Sequence, residues 1–280
     1  MRDFKSAAKQ ALPKRVKIEN TLKILLSQPD RAIFLAEESK LVLKVYKDKN
    51  ALEKEYLMAQ KAQKMDIPVP EMMGLDVGNL TVLVMKYVNG SPLTSNNVKA
   101  ALEAGKYLEL FHSIDTVLPF SGGQNSWDEF ILWWSGKELQ KIKQLDIFGG
   151  TEILEIENEL RDLLPTLVSR PIVTLHGDLQ AEHILVDAQH DRVLAFLDFV
   201  DSQPGDPLLD IAVLSLWDNK LADLILESYK GIENSTKTQN LLVGYRLLRH
   251  LAVIPWLSER GRQKQAEKSA VAIRTHLLEK

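Results

Sequence analysis

The chain has 280 residues, 45% of them hydrophobic and 26% charged, enough apolar material for one large globular domain or two ordinary ones. Its net charge of −3, without a long Lys/Arg run, argues against nucleic acid or an anionic membrane surface as a partner. The absence of cysteine excludes disulfides, thiolate catalysis and Cys-based zinc sites and suits a reducing cytoplasm, and neither the N-terminal MRDFKSAAKQALPKR nor any later stretch carries the apolar run of a signal peptide or a membrane span.

From Ile18 to Lys47 three runs rich in Ile, Leu and Val, IENTLKILL, RAIFLAEE and KLVLKVYK, are separated by SQPDR and an ESK corner and predict three antiparallel strands. Asp48 is placed to cap a helix over Lys49 to Met65, where Leu52, Tyr56, Ala59 and Ala62 recur at helical spacing until IPVP at Ile67 to Pro70 forbids continuation. Two more strands are predicted at Met72 to Val77 and Leu80 to Tyr87, joined at Gly78 and Asn79, after which NGSP at Asn89 to Pro92 reads as a linker. The domain boundary is expected there, between residues 1–88 and 89–280. Beyond it Ala101 to Ile114, Trp127 to Leu145 and Glu152 to Leu164 have helical periodicity. After Asp210 the chain returns to helices, with breaks expected at Pro255 and Gly261. The short apolar runs IVTLH, HILVD and VLAFLDF lie between these helical stretches, so the charged groups beside them are expected on loops at strand ends.

Those charged groups carry the chemistry. In HGDLQAEHILVD, from His176 to Asp187, His183 follows Asp178 by five residues, and a second acid, Asp198, ends VLAFLDF. In phosphoryl transfer a carboxylate orients the attacking hydroxyl while metal ligands neutralise the phosphate charge, and this spacing suits that division. Asp178 fits the first task; His183 and Asp198 fit the second, although imidazole is a less usual ligand than oxygen for a hard cation. A Gly-Asp pair is often only a turn, but turn chemistry does not account for the matched His183 and Asp198. On the third strand Lys44 stands where a kinase lysine pairs nucleotide phosphates, with Glu55 or its competitor Glu53 in the following helix to hold the ammonium. A strand lysine by itself is ordinarily a solvated residue. The loop Ser27 to Arg31 has no glycine with which to form a nest of backbone amides.

The pattern HGDLxxxHILxD followed by LDFxDxxxGDPxxDIA, from Leu197 to Ala212, resembles the aminoglycoside phosphotransferase and choline kinase superfamily of small-molecule kinases. The family usually has Asn where His183 stands, and the branch of aminoglycoside 2''-phosphotransferases is similar in carrying His there. The resemblance implies an α+β, two-lobed protein-kinase-like fold, a small antiparallel sheet with one helix followed by a larger, mainly helical lobe. It implies ATP or GTP as donor, Mg²⁺ as cofactor and a small-molecule hydroxyl as acceptor. Lys44 with Glu55 would then bind phosphates, Ser27 would offer its hydroxyl and amide, and Met85, Lys86, Tyr87 and Val88 would form the hinge whose backbone meets the base. His176 would pack beneath the catalytic loop, Asp201 would touch a second metal or the loop, and Asp206 and Asp210 would brace the scaffold.

The acceptor is open at this level. Residues 217–280 carry eleven Lys/Arg against seven Asp/Glu, a balance that argues against a polycationic aminoglycoside. Trp127, Trp133, Trp134, Trp217 and Trp256 could stack on a sugar, a macrolide or a quaternary ammonium, or simply fill the core. Two rivals stand beside the kinase reading. A regulatory pseudokinase would not need Lys44, Asp178 and Asp198 together, and a metal-dependent hydrolase built on His176, Asp178, His183 and Asp198 would not need the β-rich start or Lys44.

Overall fold

A computed structural model describes residues 2–12, 22–115 and 117–278. The first helix, α1 (Arg2–Ala11), was not expected from the sequence, although Phe4, Ala7, Ala8 and Ala11 follow the i, i+3, i+4, i+7 rule. Its small residues let it lie close to a sheet. The strands β1 (Leu22–Ser27), β2 (Arg31–Ala36) and β3 (Leu41–Tyr46) come next, then α2 (Lys49–Lys64), β4 (Met72–Val77) and β5 (Leu80–Lys86). These match the expected elements, except that residues 18–21 of the first expected run lie outside the described residues.

The five strands pair antiparallel in the order β1-β2-β3-β5-β4, so β3 is central and Lys44 is flanked by Ile33 and Leu83. Alternation along β3 separates the two faces. Leu43 and Val45 join Phe34, Val82 and Val84 against Phe4, Ala7, Ala8 and Ala11 of α1. Val42 and Tyr46 join Leu83, Met85 and Leu52 of α2 on the other face, to which Lys44 also points. The Asp48 side chain accepts from Asn50 N at 2.9 Å, as an N-cap should. Gly78, at φ 61°, makes the turn between β4 and β5.

After β6 (Ser91–Pro92), α3 (Val98–His112) begins three residues before its expected start at Ala101, because the Asp191 carboxylate accepts from the otherwise orphaned Lys99 and Ala100 amides. Helices α4 (Trp127–Lys143) and α5 (Gly150–Leu167) follow. Glu152 proves to be the third residue of α5, its carboxylate accepting from Gly149 N at 2.8 Å, so the helix starts earlier than the expected Glu152. The short strands are β7 (Val173–Leu175), β8 (Ile184–Asp187), β9 (Arg192–Phe196) and β10 (Gln203–Gly205), with β6-β8-β9 in one small sheet and β7 paired to β10. Then come α6 (Pro207–Leu214), α7 (Asn219–Ser228), α8 (Thr236–Ser258) and α9 (Gln263–Leu278). The break expected at Pro255 does not occur: α8 runs through it to Ser258, as α5 runs through Pro165 to Leu167. Each proline removes one amide donor from its helix, and both helices end within a turn of it. Gly261, at φ 67°, does separate α8 from α9.

The chain forms two compact units, Met1–Ile114 with His176–Ser202, and Asp115–Leu175 with Gln203–Lys280. The segment around Asp178 and Asp198 therefore shares a unit with the five-stranded sheet. In the second unit Asp206 caps α6 through Leu208 N at 3.0 Å and accepts from Arg170 Nε at 2.6 Å and Tyr245 Oη at 2.8 Å. Trp127 is core there, its indole N–H donating to the Leu167 carbonyl at 2.9 Å, whereas Trp217 and Trp256 are exposed. Among the described residues no helix is long and apolar enough to cross a membrane.

Candidate active site

Three segments of the first unit converge on one ammonium. Lys44 Nζ lies 2.5 Å from Glu55 Oε1 and 2.6 Å from Asp198 Oδ1. The pairing chooses between the two glutamates of α2: Glu55 is fully buried, whereas Glu53 sits outside and faces Lys49 at 3.7 Å. Tyr46, on the same face of β3 as Lys44, donates its hydroxyl to Glu55 Oε2 at 3.0 Å. This second partner was missed in the sequence, although a strand's period of two places it beside Lys44. Asp198 is brought in by the one-turn helix Phe199–Asp201, whose Val200 packs with Tyr46 and Leu52. Asp198 itself adopts a left-handed conformation, φ 68° and ψ 62°, that turns the chain from the end of β9 into that helix.

The loop that carries Asp178 is tied to the same turn. Gly177, at φ 87°, lies so close to Asp201 that a Cβ would fall 2.0 Å from its carbonyl oxygen, so only glycine fits. His176 is buried, its Nε2 donating to the Leu197 carbonyl at 2.8 Å, beneath Phe199 and His183 at ring separations of 5.1 and 6.0 Å. It acts on the backbone beside Asp198. His183 is held from two sides: its carbonyl accepts from Leu197 N at 2.8 Å, and its Nδ1 lies 2.7 Å from the Asp178 carbonyl. A carbonyl only accepts, so Nδ1 carries a proton, and Nε2 is the ring nitrogen left for another partner. That nitrogen faces Asp198 Oδ2 at 3.6 Å. The Asp178 carboxylate is half-buried and receives the Gln180 amide on both oxygens, at 3.1 and 2.9 Å. Gln180 had no expected role, and its place two residues after Asp178 is the only signal that could have found it.

The electrostatics follow from this packing. Burial works to lower the Lys44 pKa, but the Glu55 and Asp198 carboxylates outweigh it and hold the ammonium well above the usual lysine range. For Asp198 burial works upward, and the charges of Lys44 and then His183 overcome it and hold the carboxyl below the usual range. Burial keeps Glu55 above its ordinary value against the pull of Lys44. The donor set also suits a hard cation shared with phosphate oxygens. Mg²⁺ in such sites takes one or two protein ligands and fills its shell with phosphate and water, and the Asp198 carboxylate with the facing His183 Nε2 is such a pair. Among the described residues no group of three or more His, Asp or Glu forms a closed metal cage.

The remaining expected residues lie apart from this centre. Ser27 pairs with Ala32 at the end of β1, exposed, and the Ser27 to Arg31 loop is a tight turn with Gln28 N donating to the Arg31 carbonyl at 2.8 Å. Arg31 was not singled out by sequence, yet its charge helps to hold down the Asp198 carboxyl. Met85 is buried in β5, and Lys86 and Tyr87 donate their amides to the Glu71 and Lys40 carbonyls at 2.9 and 2.8 Å. Val88 N–H donates to no backbone acceptor among the described residues.

Residues 26–236 match the model of the phosphotransferase enzyme family, APH. No curated protein matches the chain. Among solved structures, a choline/ethanolamine kinase family protein from Mesorhizobium loti is similar with a TM-score of 0.71 and 20% identity, over 98% of this chain and 95% of that one. The GDP and kanamycin complex of APH(2")-IIia gives a TM-score of 0.79 and 12% identity over 98% of each chain. A thermostable mutant of the aminoglycoside phosphotransferase APH(4)-Ia, in ternary complex with AMP-PNP and hygromycin B, gives 0.67 and 17% over 91% of this chain and 94% of that one. The fold is therefore kinase-like, and with three quarters of its length inside the family model this chain belongs to the phosphotransferase enzyme family.

Proposed function

We propose that the protein moves the γ-phosphoryl group of ATP or GTP to a hydroxyl of a small molecule, with Mg²⁺ as cofactor, in the cytoplasm. The observation that carries this is the Lys44 ammonium fixed between Glu55 and Asp198 at 2.5 and 2.6 Å, in one unit with the Asp178 loop. A phosphate-binding lysine needs such a brace. Residues 1–88 supply Lys44, Glu55 and the Val88 amide to the nucleotide, and residues 89–280 supply Asp178, His183 and Asp198. His183 Nε2 and Asp198 would hold the cation, which when bound neutralises charge on the phosphates. Asp178 orients the acceptor hydroxyl. As that oxygen bonds to the γ-phosphorus and the bond to the β-phosphate oxygen breaks, Asp178 takes the hydroxyl proton and the nucleoside diphosphate leaves. Gln180 keeps the carboxylate aimed by holding both its oxygens. The AMP-PNP and GDP complexes of the two structural neighbours support a nucleotide donor.

The test is acceptor-dependent nucleotide consumption over a panel of aminoglycosides, macrolides, choline and simple sugars. Asp178→Asn is expected to lower turnover on the best acceptor by about 10² to 10⁴ while nucleotide affinity stays near wild type. Asp198→Ala is expected to abolish Mg²⁺-dependent nucleotide binding in calorimetry. Wild-type turnover in Asp178→Asn, or unchanged metal dependence in Asp198→Ala, contradicts the assignment.

A further inference from the structure

A second cluster of polar groups, wholly within the unit built from Asp115–Leu175 and Gln203–Lys280, is used by nothing described so far. It lies where α6, α8 and α9 pack together. Arg246 of α8 is half-buried, and its Nε and Nη2 both reach Ser215 Oγ just past the end of α6, at 3.3 and 2.8 Å. A guanidinium has five N–H donors, and among the described residues this one has no carboxylate within ion-pair distance. The Asp223 carboxylate acts on it only from farther away and accepts from Gln239 at 3.1 Å. One turn along α8, His250 is 7% exposed, and its buried Nδ1 has no hydrogen-bond partner. Its ring meets Trp217 edge-on at 5.0 Å. Trp217 is 51% exposed, and Lys268 of α9 lies over its ring at 4.0 Å, also without a carboxylate partner among the described residues.

Arg246, half-buried, and Lys268, over the ring of the exposed Trp217, have no ion-pair partner among the described residues, and both act on the unsatisfied His250. Desolvation without a partner opposes burying a guanidinium, so such a group is most stable when an anion completes it. The histidine does not supply more charge: burial first, then Arg246, Arg249 and Lys268, push its pKa down to about 4, and it is neutral at pH 7. We propose that Arg246 and Lys268, with Ser215 and His250 behind them and Trp217 at the mouth, form a binding site for a carboxylate or phosphate group of a small molecule. Arg246 offers a planar fork that matches either group through two N–H donors, and Lys268 closes the site as a point charge. The site does not depend on the phosphoryl-transfer reading.

The test is a titration of the full-length protein with inorganic phosphate, following tryptophan emission, at an ionic strength held near about 0.15 M with sodium chloride. A saturable change is expected, and Trp217→Phe should remove it while calorimetry still detects phosphate binding. Arg246→Gln should weaken binding by about tenfold or more, the loss of a charge-assisted bond. If Arg246→Gln lowers the thermal midpoint, Lys268→Gln, at an exposed position, decides instead and should weaken binding severalfold. No saturable response, a signal that survives Trp217→Phe, or equal affinity in Lys268→Gln overturns the proposal.

Discussion

Replacing Lys44 by Met keeps the volume of the buried side chain and removes its charge, which isolates the electrostatic role of the lysine. Glu55, fully buried, then loses the ammonium at 2.5 Å and keeps only the Tyr46 hydroxyl at 3.0 Å. Asp198 loses a partner too, but its side chain is 24% exposed and can hydrate. Leaving one member of a buried pair uncompensated costs about 3–5 kcal/mol, a large share of the about 5–15 kcal/mol that holds a domain together. The loss must depend on pH. Without Lys44 only the Tyr46 hydroxyl opposes the burial that already raises Glu55, so its folded pKa climbs further above the unfolded value. A group of that kind adds stability below its unfolded pKa and loses it as pH rises through the folded one. In the wild type the depressed Asp198 works the other way, its contribution fading as acid is added. Glu55 makes the difference between variant and wild type smaller at pH 5 than at pH 8, whereas Asp198 fades only below the ordinary carboxylate pKa of about 4, beneath both values. Urea unfolding of the two proteins at both pH values measures it. A difference under about 1 kcal/mol at pH 8, or an equal difference at the two pH values, refutes the account of Lys44 as the counter-ion of a buried carboxylate.

Gly177→Ala should destabilise by more than the about 1–2 kcal/mol of a left-handed residue, because its Cβ would meet the Asp201 carbonyl at 2.0 Å, and turnover should fall with it since Asp178 is next in the chain. Thermal unfolding and a rate assay test this, and an unchanged melting midpoint contradicts it. His183→Asn should keep turnover within about tenfold, a smaller loss than that at Asp178: its amide offers an oxygen to the cation and an N–H to the Asp178 carbonyl that His183 Nδ1 now reaches at 2.7 Å. Complete inactivity of the folded variant would show that the imidazole does something an amide cannot. His250 is held near a pKa of about 4, below its ordinary 6.5. The unfolded chain therefore binds a proton first as acid is added, and stability falls between pH 6.5 and 4 by about 3 kcal/mol. His250→Gln should flatten that part of the stability profile, and a profile parallel to the wild type over this range would count against the burial argument.

Local periodicity and chain punctuation were enough to read much of this molecule from its residues. The strands from Leu22 to Lys86, the Asp48 cap, the position of Lys44 within the third strand and those of Asp178, His183 and Asp198 near strand ends all follow from alternation, caps and motif spacing, which are properties of neighbours in sequence. The misses have the same origin. Proline punctuation suggested a break at Pro255, but α8 runs on to Ser258 in spite of the lost amide donor. The N-terminal helix was overlooked because three of its four buried contacts are alanines, a weak signal until a sheet face is there to receive them.

Which side chains meet is a different matter, decided only when the elements dock. Glu53 and Glu55 are chemically identical and two residues apart, and a helix sends such neighbours to nearly opposite faces. Only the packing of α2 on β3 shows which one reaches Lys44. The contact between Lys44 and Asp198 spans 154 residues of sequence. The Gly177 conformation is dictated by the Asp201 carbonyl, and Arg246 finds Ser215 across the junction of two helices. A residue's secondary structure is set largely by its near neighbours, whereas its charge state and its partner are set by groups that folding brings from far along the chain.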